Sequence, residues 1–137
     1  TKTEGLGIGL PARPVKGCAG LCKAGPGSGH VRRDGRVIQF VPFNQRAWHA
    51  GASSWQGRDN CNDFSIGIEL EGTDDSAYES VQYQNLAAVI QALYAAYPRL
   101  AAQAVVGHSY IAPGRKSDPG AAFDWALLRA LLGAAGA

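Results

Sequence analysis

The sequence predicts a mixed α/β fold: a single mixed β-sheet flanked by helices, preceded by an irregular N-terminal segment. Three observations carry this. Two short β-prone runs meet at Asp34-Gly35, the run "FSIGIELEG" alternates with a period of two, and two segments show helical spacing of apolar residues. Sheet and helices in one chain of 137 residues pack as layers around one core.

Residues 1–29 form the first unit. They hold eight of the 18 glycines and show neither period, so they read as irregular coil. Their "GPGSGH" follows no strand and opens no helix, which makes a phosphate loop a poor match. The second unit, 30–137, opens with "HVRRDGRVIQFVPF", a hairpin in which Asp34-Gly35 suits a type I′ turn and Pro42 ends the second strand. "NQRAWHAGASSWQGRDNCND" has no regular period and is read as a long loop. Its aromatic and polar residues serve either a binding surface or a cover for the sheet.

"FSIGIELEG" is a strand with Ile66, Ile68 and Leu70 on one face and Ser65, Gly67, Glu69 and Glu71 on the other. Leu86, Ile90, Leu93, Tyr94 and Tyr97 predict a helix over 79–97, stopped by Pro98. "AQAVVGH" reads as a short buried strand that delivers His108 at its end. "AAFDWALLRALLGAAG" is a last helix with Phe123, Leu127, Ala130 and Leu131 on its apolar face.

A formal charge of +2 and the lack of any apolar run near 20 residues predict no nucleic-acid and no membrane partner. The start "TKTEGLGIGLPARP" has no apolar signal core, and the three cysteines (Cys18, Cys22, Cys61) are odd in number, so a reducing, cytoplasmic setting is expected. Methionine is absent, so Thr1 is read as something other than a translation start.

The segment "VVGHSYIAPGRKSDPG" concentrates the chemistry. A Gly-His pair at a strand end puts His108 at the sheet rim, where ligands of α/β proteins bind. Asp118 follows ten residues later, set by Pro119-Gly120, and can return to the same rim. His, Asp and a water are three parts of an open zinc site that needs one more protein ligand. Lys116, two residues before Asp118, offers an ammonium to an oxyanion; the plainer reading is a solvated surface cation. Glu69 lies within an apolar strand, where a carboxylate is costly unless paired or functional. A half-exposed strand face explains Glu69 and Glu71 equally well. Ser109 and Cys61 lack the partners a nucleophile needs.

"RRDGRVIQFVPFNQRAWHAG", "CNDFSIGIELEGTD" and "VVGHSYIAPGRKSDPGAAFDW" together resemble the zinc-dependent N-acetylmuramoyl-L-alanine amidases. The type most similar is the cytoplasmic anhydromuramyl-L-alanine amidase of Gram-negative cell-wall recycling, from about residue 30 to 132. That resemblance implies an amidase or peptidoglycan-recognition-like sheet and a Zn2+ cofactor held by two histidines and an aspartate. It places His108 and Asp118 among the metal ligands, Glu69 as catalytic base and Lys116 at the oxyanion, with Trp48 and His49 lining the substrate cleft. The implied partner is a muropeptide or peptidoglycan fragment, and the implied state is a monomer.

The chain departs from that pattern at its start. The family's first zinc histidine ends a strand well upstream of the hairpin, and residues 1–29 contain no histidine. Asn60 stands where relatives carry a substrate-contacting arginine. One reading is that the N-terminal sequence has been truncated or replaced, which removes a central strand and leaves a bare sheet edge. The other is that His30 or His49 serves as substitute ligand. The expected function is a zinc hydrolase cutting the amide between (anhydro)N-acetylmuramic acid and L-alanine, impaired if the ligand is lost. The alternative is a non-catalytic peptidoglycan-fragment binding module or an inactive remnant of the enzyme.

Overall fold

The computed structural model describes residues 3–4, 29–39, 51–61, 65–72, 76–97, 105–117 and 119–135. The strands are β1 (Thr3–Glu4), β2 (Gly29–Val31), β3 (Val37–Gln39), β4 (Ser54–Trp55), β5 (Arg58–Asp59) and β6 (Ile68–Glu71). The helices are α1 (Ser80–Ala96), α2 (His108–Ile111) and α3 (Trp125–Ala135). Four strands form one mixed sheet in the order β1-β6-β2-β3, in which β2 and β6 run parallel and the other pairs antiparallel. The expected mixed sheet with helices is therefore present. Beside β6, Thr3 and Glu4 pair with Glu71 and Leu70.

Alternation sorts the parallel pair into two faces. Val31, Ile68 and Leu70 point to the helices and pack with Leu86, Ile90 and Leu93 of α1 in the buried core. His30, Glu69 and Glu71 fall on the opposite face. An Arg32–Glu71 ion pair at 3.9 Å confirms which side chains share it.

Glu79 and Gln82 form a capping box at the start of α1. Gln82 is fully buried and does more than cap. Its Oε1 accepts from the Glu79 N–H at 2.8 Å, while its Nε2 donates to Glu71 O at 2.9 Å and Val31 O at 3.3 Å. One amide thus joins the helix start to the ends of both parallel strands.

Three local expectations are corrected. The hairpin turn is not type I′, because only Gly35 has positive φ (90°). Gly35 N–H donates to Arg32 O and Arg32 N–H to Arg36 O, giving a longer turn closed by a left-handed glycine. The type I′ signature instead appears at Gln56 (φ 49°) and Gly57 (φ 79°), in a β4–β5 hairpin inside the segment read as loop. Lastly, residues 105–107 are not strand, and His108 begins α2.

The apolar face of α3 is also rotated from the expected one. Leu128 is buried, with Leu131 and Leu132 packed beside it, while Leu127 and Ala130 are exposed. Phe123 precedes the helix, so a period counted from it is out of phase. Among the described residues no helix is long and apolar enough to cross a membrane.

Gln82→Met, similar in size but unable to hydrogen-bond two buried carbonyls, is expected to cost about 2–4 kcal/mol. Urea unfolding at constant m-value measures it.

Candidate active site

The segment after residue 105 is built to leave and return at one point. Gly107 packs so closely on the return that a Cβ there would lie 2.9 Å from Pro119 Cδ and 3.2 Å from the Trp125 ring. Tyr78 OH donates to Pro119 O at 3.0 Å, and Asp124 N–H donates to Tyr83 OH at 2.8 Å. Tyr83, Phe123 and Trp125 touch in series, the first pair tilted and the second edge-to-face, with centroids 5.2 and 4.8 Å apart. These contacts hold both ends of the loop to the front of α1. They bury His108 at its root.

The middle of the loop is tied to a second segment. Arg115 donates to Ala52 O from Nη2 at 2.8 Å and from Nε at 3.1 Å. Gly51, with φ 61°, leaves room for the guanidinium, which would stand 3.0 Å from a Cβ there. Ser53 Oγ donates to Gly51 O and accepts from Cys61 N–H. Cys61 and Ile111 then pack with Trp55 and Val106 in a satellite cluster. Lys116 follows the staple, exposed, its N–H donating to Ala112 O.

On the sheet, His30 and Glu69 are direct partners across the parallel ladder. Their side chains are therefore neighbours on the face away from α1. Glu69 is half-buried and His30 buried. Burial holds the His30 imidazole below its ordinary pKa, opposed by the Glu71 carboxylate and assisted by Arg32. Burial also raises the Cys61 thiol, which fits a packing role rather than a nucleophile.

Of the residues singled out from sequence, the structure describes Glu69, His108 and Lys116. Asp118, Trp48 and His49 lie outside the described residues. The neighbour of Glu69 is His30, which the sequence reading took as a hairpin start and a substitute ligand. Arg115 was missed, because nothing in "GRK" reveals a carbonyl more than sixty residues away as its target. Among the described residues, no three His, Cys, Asp or Glu side chains are placed to hold a metal ion. The described donors do not by themselves make a zinc site.

A mixed sheet backed by α1, with an acid and an imidazole side by side on its other face, makes this an α/β domain with acid–base groups on the sheet. The profile of the N-acetylmuramoyl-L-alanine amidases matches residues 19–121, and the chain belongs to that family. It is 63% identical over 102 residues to the 1,6-anhydro-N-acetylmuramyl-L-alanine amidase AmpD of Citrobacter freundii, which covers 74% of this chain and 54% of that protein. The chain thus spans about half the length of that relative. The crystal structure of a selenomethionine AmpD derivative superposes with a TM-score of 0.74 at 61% identity, over 77% of this chain and 58% of the other. AmpDh3 of Pseudomonas aeruginosa, in complex with anhydromuramic pentapeptide, superposes with a TM-score of 0.65 at 42% identity, over 70% and 41% of the two chains.

Three outcomes are expected. Because the folded pKa of His30 lies below 6.5, its contribution is full above that value and is lost as pH falls through the folded pKa. Wild type should therefore lose stability relative to His30→Gln between about pH 7 and pH 5 in paired urea titrations. Gly107→Ala should cost roughly 1–3 kcal/mol by overpacking. Gly133→Ala, at an open position of α3, should instead stabilise by about 0.5–1 kcal/mol in the same assay.

Proposed function

We propose that this chain is an amidase domain that hydrolyses the bond between the lactyl carbonyl of (anhydro)N-acetylmuramic acid and L-alanine in muropeptides. The observation that carries the proposal is the half-buried Glu69 beside His30 on the face of the β2–β6 pair turned away from α1, in a chain of this family. The substrate class follows the named activity of its relatives and the muramoyl peptide bound by one of them.

In this reading Glu69 accepts a proton from the attacking water and passes it to the departing alanine nitrogen. Flanking imidazole and partial burial keep the carboxylate in place while it works. Lys116 supplies positive charge toward the tetrahedral oxyanion, and its position depends on the Arg115 staple to Ala52. Trp48 and His49 line the cleft for the sugar and peptide. His108 and Asp118 are the donors proposed for zinc, a metal that elsewhere activates water and polarises carbonyls. The described donors do not by themselves complete a site for it. The proposed place of action is the cytoplasm, by likeness to the recycling enzymes.

A second reading is a muropeptide-binding module. It is favoured by the small stock of imidazoles: the whole chain has three histidines, none before residue 30. Mass spectrometry of anhydromuropeptide incubated with the protein and added zinc separates the two. Release of the alanine-bearing peptide is expected, and Glu69→Gln should abolish it while leaving ligand binding intact. Binding without release from wild type would leave the module standing. Asp118→Ala should lower the zinc retained per chain on dialysis; unchanged zinc content would remove Asp118 from the donor set.

A further inference from the structure

A cleft of 610 Å³ opens between the β4–β5 hairpin, α2 and α3, lined by Trp55, Gln56, Ser109, Tyr110, Trp125 and Arg129, among others. Glu69, Lys116 and the His108 side chain are not in its lining. Its size falls within the range of about 300–1,000 Å³ usual for ligand pockets. The walls are preformed, since the Arg115–Ala52 staple and the Cys61–Ile111 cluster fix the hairpin against α2. Gln56 is held at the rim in a left-handed conformation, and Tyr110 is 69% exposed there. Tyr110 therefore presents most of its ring to solvent beside two half-buried tryptophans.

The charge of the lining is one-sided. Among the described residues of the lining, Arg129 is the single ionised one and none is a carboxylate. The guanidinium carbon sits 5.6 Å from the Trp125 ring centroid, a cation–π contact that uses the face of the group and not its N–H donors. Among the described residues no carboxylate pairs with Arg129; the two ion pairs are Arg32–Glu71 and Arg33–Glu79. Flat aromatic surfaces, amide and hydroxyl groups, and one free guanidinium suit a ring with an apolar face, several hydroxyls and a carboxylate.

We propose that this cleft is a second, non-catalytic binding site for a carboxylate-bearing saccharide, with Arg129 taking the carboxylate and Trp55, Trp125 and Tyr110 covering the ring. The choice of sugar acid rests on the muropeptide reading above; the cleft and its charge do not. The ligand would bind without contact to Glu69, Lys116 or His108, none of which lines the cleft.

The chain has three tryptophans, so the indole N–H signals of a ¹H–¹⁵N spectrum report on the two sites separately. N-acetylmuramic acid and N-acetylglucosamine, which lacks the carboxylate, are titrated up to about 10 mM. The Trp55 and Trp125 signals should move with the acid at least roughly tenfold more readily than with the neutral sugar. Arg129→Gln, at an exposed position, should erase that preference and leave any Trp48 response unchanged. No movement of Trp55 and Trp125, equal movement with both sugars, or an unaltered preference in Arg129→Gln each overturns the proposal. Movement of Trp48 alone also overturns it, while supporting the proposed reaction cleft. Movement of Trp55 and Trp125 without Trp48 supports this site and counts against the reaction cleft.

Discussion

The fold depends on one buried amide. Parallel strands cannot be joined by a tight turn, so β2 and β6 are brought together by elements that cross over, and something must fix their relative height. Gln82 does so from outside the sheet. Its Nε2 bridges Val31 O and Glu71 O, one carbonyl from each strand, while its Oε1 caps α1 through Glu79. A leucine in its place would fill space without setting register. A one-residue slip would turn every side chain of a strand to the other face. The neighbour relation of His30 and Glu69 therefore follows from how Gln82 holds the ladder.

A second constraint acts on the loop that carries His108 and Lys116. The loop is closed by packing at its root, Gly107 on Pro119 and Trp125, and by a bidentate hydrogen bond in its middle, Arg115 on Ala52. The two differ in kind. Close packing sets distance and tolerates no added methyl group, whereas the guanidinium fork sets orientation and needs a carbonyl in one place. Together they bring residues far apart in sequence into one region, the Trp55–Trp125 cleft among them.

The strongest elements were legible in the sequence for local reasons. Leu86, Ile90 and Leu93 mark α1 because a stripe of large aliphatic residues at helical spacing has no other stable use. Ile66, Ile68 and Leu70 mark β6 by the same logic at period two. The failures are also local. Phe123 continues the apolar period of α3 in the sequence but sits in an aromatic cluster ahead of the helix, which puts the expected face out by one residue. The β4–β5 hairpin was passed over because Gln56 is an unusual residue for a left-handed turn position and only Gly57 signals it. Asp34-Gly35, the better local match, folds otherwise, because Arg36 rather than Val37 closes the turn.

Sequence alone determined the family, the mixed sheet with helices, and the residue types offered for acid–base chemistry, since these rest on motif order and periodicity along the chain. Tertiary structure decided which of them meet. That Glu69 lies beside His30, that Arg115 reaches Ala52, and that Trp55, Tyr110, Trp125 and Arg129 enclose one cleft are facts of strand register and loop closure. Such contacts join residues tens of positions apart, and no local preference encodes them; they exist only once burial and the Gln82 hydrogen bonds have fixed the layers.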